Sequence, residues 1–175
     1  STALGRNATA SGTGAMASGY LANASGTNAL ALGRSATASG SDAMALGRSA
    51  NATGTSAIAI GKSSNVNSEN ALALGVSASA KAQGAIAIGA SANAPGQCAI
   101  AIGKGARANG GCAIALGDGA EAKAQDSIAI GKSANANGQG IAIGLQAHSN
   151  GSRAIAIGGE ANADGGAAIA IGCKA

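Results

Sequence analysis

The residues able to do chemistry are few, and most fall at repeated positions. Seven of the eleven bases follow the glycine of a recurring motif, Arg6, Arg34, Arg48, Lys62, Lys104 and Lys132 directly and Lys174 after Cys173. Cys98 and Cys112 stand 14 residues apart, Cys173 is left over, and His148 is the single histidine. The triplet "GKS" at 61–63 and 131–133 has the look of a phosphate loop. The glycine such a loop needs five residues earlier is Ser56 in one copy and Asp126 in the other, so the reading fails. "GKGARA" at 103–108 and "GDGAEA" at 117–122 imitate a dinucleotide fingerprint, but they are consecutive copies of one repeat, which already explains them. His148 has no partners for a metal site. No acid pair, Ser/His/Asp set or Cys/His set recurs. The chain reads as a non-enzyme without metal or cofactor.

The elements that hold these residues follow from an internal period. A glycine closes an apolar tetrad at Gly5, Gly19, Gly33 and onward in steps of 14 to Gly131, then at Gly144, Gly158 and Gly172, with one step of 13. The consensus is A-I-A-I-G-x-x-A-x-A-x-G-x-x, and Ser68, Ala82 and Ala124 replace the second glycine where it is missing. Fourteen residues suit two short strands and two tight turns, and both glycines are expected to supply the positive φ of a turn. The alternation has period two, which is a strand pattern and not a helical one. One coil cannot bury its own apolar face, so coils must stack into a parallel β-roll or solenoid. About twelve coils at ~4.8 Å each make a rod on the order of 60 Å long.

Composition fits such a rod and excludes other classes. The chain is 46% hydrophobic yet lacks Trp and Phe, with Tyr20 the only aromatic of that group; an ordinary core of this size uses several. The net charge of +4 is too mild to imply nucleic acid, and the aromatics that stack on bases are missing. No run of 18 apolar residues occurs, so this segment does not itself insert into a membrane as a helix. The first residues already belong to the repeat, with no signal peptide before them, so residues 1–175 read as a single domain cut from a longer protein.

Each strand presents two faces. In the first strand, the large residues lie three and one before the glycine, as in Ile58/Ile60, Leu72/Leu74 and Ile86/Ile88. We expect these to point into the roll, against the small pairs Ala78/Ala80, Ala92/Ala94 and Ala106/Ala108 of the second strand. The residue between the large ones is Ala in all thirteen copies, among them Ala45, Ala59, Ala73, Ala87, Ala101, Ala115, Ala129, Ala142 and Ala156. Read as outward, this small apolar strip exceeds what monomers expose and marks packing against other copies. The outer face of the second strand is polar and faces water. At the turns, the short coil ending at Gly144 is expected to be tighter. Thr2, Met16 and Ser18 stand where Ile is usual, which suggests a looser or otherwise capped beginning.

The repeat G-x-x-A-x-A-x-G-x-x-A-I-A-I-G resembles the head repeat of YadA-like trimeric autotransporter adhesins, over the whole chain. The resemblance implies an all-β, left-handed parallel β-roll in each chain and a homotrimer with one sheet of each chain facing a common axis. It also implies a bacterial outer-membrane surface protein whose head binds a host matrix or receptor protein such as collagen, fibronectin or laminin. The family's stalk and membrane anchor lie outside these residues. Cysteines, which such heads usually lack, are a departure.

Cys98 and Cys112 occupy one repeat position in neighbouring coils, ~4.8 Å apart, within Cα range of a disulfide. In-register side chains point the same way, so a bonded pair and three inert thiols both remain open, with Cys173 free or linking chains. The basic column after the glycine is either an attraction for an anionic partner or a solvated edge that discourages lateral pairing; we read it as the latter. An adhesin head would bind through the polar outer face, where Asn93, Arg107, Asn135 and His148 are candidate ligand contacts. An ice-binding solenoid is the alternative from another class, but its exposed ladder would be regular, and this one mixes Asn, Thr, Arg, Glu and His. A structural spacer that lifts another tip from the cell is the third reading.

Overall fold

Alanine-rich strands too short to stand alone are stabilised here by stacking. A computed structural model describes all 175 residues, and they form two compact units, Ser1–Ser91 and Ala92–Ala175. Both are built of the same coil, about twelve in the whole chain, with no helix. A coil is a three-residue strand, a tight turn, a two-residue strand and a second tight turn, as in Ile58–Ile60 followed by Asn65–Val66. All pairing is parallel and in register. In the first unit Ile58 stands beside Leu72 and Leu72 beside Ile86, while Asn51, Asn65 and Ser79 line up in the other sheet. In the second unit the same ladder runs through Ile100, Ile114, Ile128, Ile141, Ile155 and Ile169. The solenoid expected from the period is the fold observed.

The interior differs from the one expected. Ala59, between the two isoleucines, is 0% exposed, and so are Ala57 before it and Ala78 and Ala80 of the second strand. Four small side chains per coil therefore fill the roll, and the two sheets approach closely enough to leave no room for Ile between them. Where a larger or polar group enters, it is accommodated. Val66 takes one inner position, and the buried hydroxyls of Ser64, Ser127 and Ser149 donate to the carbonyls of Gly61 (2.9 Å), Ala124 (2.6 Å) and Ala154 (2.8 Å). Each of these three hydroxyls thus has a partner, as buried polar groups need.

The turns also sort the two glycines. The anchor glycine has positive φ, +127° at Gly61, a conformation L-residues rarely adopt. The second glycine does not; the left-handed residue there comes two positions later, as at Asp42, Ser56 and Cys98 with φ of 56°, 54° and 54°. The second glycine serves close approach instead, because a Cβ on Gly54 would run into the backbone carbonyl of Ser68 in the next coil. The coil one residue short behaves as expected: Gly140 N–H bonds back to Gly138 O at 2.7 Å, across two residues rather than the three spanned by the Ala57–Gly54 bond of an ordinary coil.

Candidate interaction surfaces

With the interior filled by alanine, each coil offers four surfaces: the outer face of the first strand, the outer face of the second, and two turn edges. The first is the apolar one. Ala45, Ala59, Ala73 and Ala87 in the first unit, and Ala101, Ala115, Ala129, Ala142 and Ala156 in the second, are each 0% exposed within a single chain. They line the roll's interior, so the expectation that they form an outward packing face is corrected. The Ile and Leu residues beside them stand on the outside. Period two separates a strand's residues into two sets without saying which set is inside, and large size alone does not place a set inward. Ladder neighbours shield these side chains only in part, leaving Leu74, Leu116 and Ile157 at 40%, 41% and 37% exposure. In each unit this makes a continuous apolar strip, two large residues wide, from coil to coil.

The outer face of the second strand is polar. The four candidate ligand contacts fall in one column of the second unit: Asn93 pairs with Arg107, Arg107 with Glu121, Glu121 with Asn135 and Asn135 with His148. Arg107 is exposed; Asn93, Asn135 and His148 are half-buried between their ladder neighbours. Asn135 Oδ1 is buried without a hydrogen-bond partner, as is Ser79 Oγ in the first unit. Glu121 forms an ion pair of 3.4 Å with Lys123 two residues on, at the next outward position. Amide ladders tie successive coils together on this face. Asn51 Nδ2 donates to Asn65 Oδ1 at 2.9 Å, Asn137 Nδ2 to Asn150 Oδ1 at 2.5 Å, and Asn150 Nδ2 to Asp164 Oδ1 at 2.7 Å. Asn recurring every 14 residues in an outward column was the available signal. A shallow, open depression of about 400 Å³ lies among Thr53, Gly54, Thr55, Asn67, Ser68, Glu69 and Gln83, where Ser68 replaces the usual glycine.

The turn edges carry most of the charge. On the first turn, Tyr20 lies between two cations, with the guanidinium carbons of Arg6 and Arg34 at 5.7 and 5.9 Å from its ring centre, within cation–π range. On the second turn, Cys98 and Cys112 are exposed free thiols, and Cys173 at a first turn is exposed and free as well. No cluster of His, Cys, Asp or Glu able to hold a metal is present.

This coil has close counterparts among known proteins. A family model, the YadA head domain repeat (2 copies), matches residues 1–22, 10–36, 24–50, 38–64, 67–92, 94–120, 122–147, 139–161 and 149–172. The crystal structure of the collagen-binding domain of the Yersinia adhesin YadA is similar at 28% identity with a TM-score of 0.55, covering 86% of this chain and 69% of that one. No curated protein matches the chain.

Proposed function

From the premise that the chain belongs to the YadA head-repeat family, we propose that it is the head of a bacterial surface adhesin, working as a homotrimer that holds host matrix protein. The family and the fold are those of an adhesin rather than an enzyme. The observation that carries the assembly is the outward strip of large aliphatic side chains, Ile58/Ile60 to Ile86/Ile88 in one unit and Ile100/Ile102 to Ile155/Ile157 in the other. A strip of this extent marks an interaction site on a water-soluble surface. In each unit, three copies, the number the resemblance implies, turn this strip toward an axis between them. The interface is therefore assigned to the Ile/Leu ladder and not to the alanines.

With that face covered, the polar face of the second strand remains for a ligand. It is flat and repetitive with no deep pocket, which suits an extended partner contacted over several coils. The solved relative is a collagen-binding domain, and collagen is the first ligand to test here, followed by fibronectin and laminin. Heads of this family are exposed parts of outer-membrane autotransporters, and we place this one at the bacterial surface. The test is binding of the purified assembly to the three immobilised matrix proteins, with Arg107→Ala and His148→Ala alongside. Saturable binding to one of them, weakened by either substitution, is the expected result. Absence of binding to all three overturns the matrix-protein reading.

A further inference from the structure

The two turn edges of a coil differ in charge, and the difference changes from coil to coil. Copies arranged about an axis parallel to the stack, with their first-strand faces inward, place the first turn of one copy beside the second turn of the next. At a given level a first turn then faces the second turns half a coil above and below, about 2.4 Å away along the axis. In sequence these are the residues six to eight positions before or after it.

The second turns of the whole chain carry four charges: Asp42, Glu69, Asp126 and Arg153. The first turns that flank Asp42 carry Arg34 and Arg48, and one that flanks Glu69 carries Lys62. Asp126 lies between Lys132 and Asp118. Arg153 is the one base on a second turn, and at its level the first turn carries the acid Glu160. At Arg153 and Glu160 the sign reverses on both edges together, whereas Asp118 is an acid beside the acid Asp126. All of these side chains are exposed, and the two turns of a coil are separated by the length of a strand, so this complementarity does not serve the chain that contains it. The ion pair the chain does make, Lys123 with Glu121, lies on the outer face of the second strand instead.

Resting on the assembly reading above, we infer that the two edges dock against each other between copies and set their axial register. Glu160 meets Arg153 of the partner subunit, Lys62 meets Glu69 of the partner subunit, and Arg34 and Arg48 bracket Asp42 of the partner subunit. The apolar ladder discriminates registers weakly, because Ile and Leu recur every coil and a slip by one coil uncovers only the strip of one end coil. A slip by one coil in one direction brings Lys174 beside Arg153 and takes Lys62 away from Glu69, and in the other it puts Lys132 beside Arg153 in place of Glu160. Discrimination then comes from charges that are opposed in the wrong register and matched in the right one.

Charge exchange tests this with the assembled protein. Arg153→Glu and Glu160→Arg are made singly and together, with Lys62→Glu and Glu69→Lys as a second, independent pair. Association is read by sedimentation at low and high salt, and strand content by circular dichroism. Each single exchange alters one contact per subunit boundary, and the three together are expected to weaken assembly on the order of tenfold. The double exchange returns it to within a few-fold of the starting protein, and the deficit of the singles shrinks as salt rises. A trimer indifferent to the single exchanges, or a double variant worse than either single, overturns the edge pairing alone. A wild-type monomer overturns the assembly reading and the edge pairing with it.

Discussion

Ser149 Oγ donates a 2.8 Å hydrogen bond to the carbonyl of Ala154 inside the roll, in space left free because Gly140 has no side chain. A Cβ built on Gly140 would collide with Ser149 Oγ and lie 2.5 Å from Ala154 O. The three residues belong to the coil that is one residue short and to the coil that follows it, so shortening a turn and admitting a hydroxyl to an alanine core are two parts of one local adjustment.

Gly140→Ala is therefore expected to destabilise the second unit by about 1–3 kcal/mol, the usual scale of overpacking. Ser149→Ala in the same chain relieves only part of this, because the contact with the Ala154 carbonyl remains. Thermal melting of the three proteins checks it, and a Gly140→Ala variant as stable as the parent contradicts the tight fit.

The exchange of faces in the first strand gives a second contrast. Ala101 is 0% exposed in the interior, and Ile102 stands on the outer strip. Ala101→Leu is expected to cost at least about 1–3 kcal/mol in folding, since the added methylenes have no space, while the copy number at low temperature is retained. Ile102→Lys is expected to weaken association, seen as a melting temperature that depends more steeply on protein concentration. Dissociation by Ala101→Leu with Ile102→Lys silent would restore the opposite assignment of faces.

The thiols make a third. Cys98, Cys112 and Cys173 are all exposed and free, so the native protein is expected to titrate three rapidly reacting thiols per chain without denaturant. One rapid thiol, rising to three only after reduction, would show Cys98 and Cys112 bonded to each other.

Much of this fold was legible from the 14-residue recurrence of glycine. It located both strands, both turns, the parallel register and the short coil before Gly144, because each follows from spacing alone. The polar outer column holding Asn93, Arg107, Asn135 and His148 was legible for the same reason. Which face of the first strand lies inside was not. Alternation divides Ile58 and Ile60 from Ala57 and Ala59, and both sets are apolar, so hydropathy cannot rank them. A size limit could have ranked them. The column through Ala59 never exceeds Ala in thirteen coils, and the column before it holds only Ala, Ser and Gly, as at Ala57, Ser127 and Gly140. Positions that admit nothing larger are confined, while the outward column that accepts Thr2, Met16, Leu30 and Ile58 is not. The distinct roles of the two glycines were also hidden, since positive φ and close approach both select the same residue.

The copy number of the purified chain in solution bears most directly on the assignment of the Ile/Leu ladder as the face between copies. Sedimentation equilibrium is expected to give the mass of three 16.0 kDa chains. A stable, folded 16.0 kDa monomer at micromolar concentration, with that ladder open to water, would contradict it.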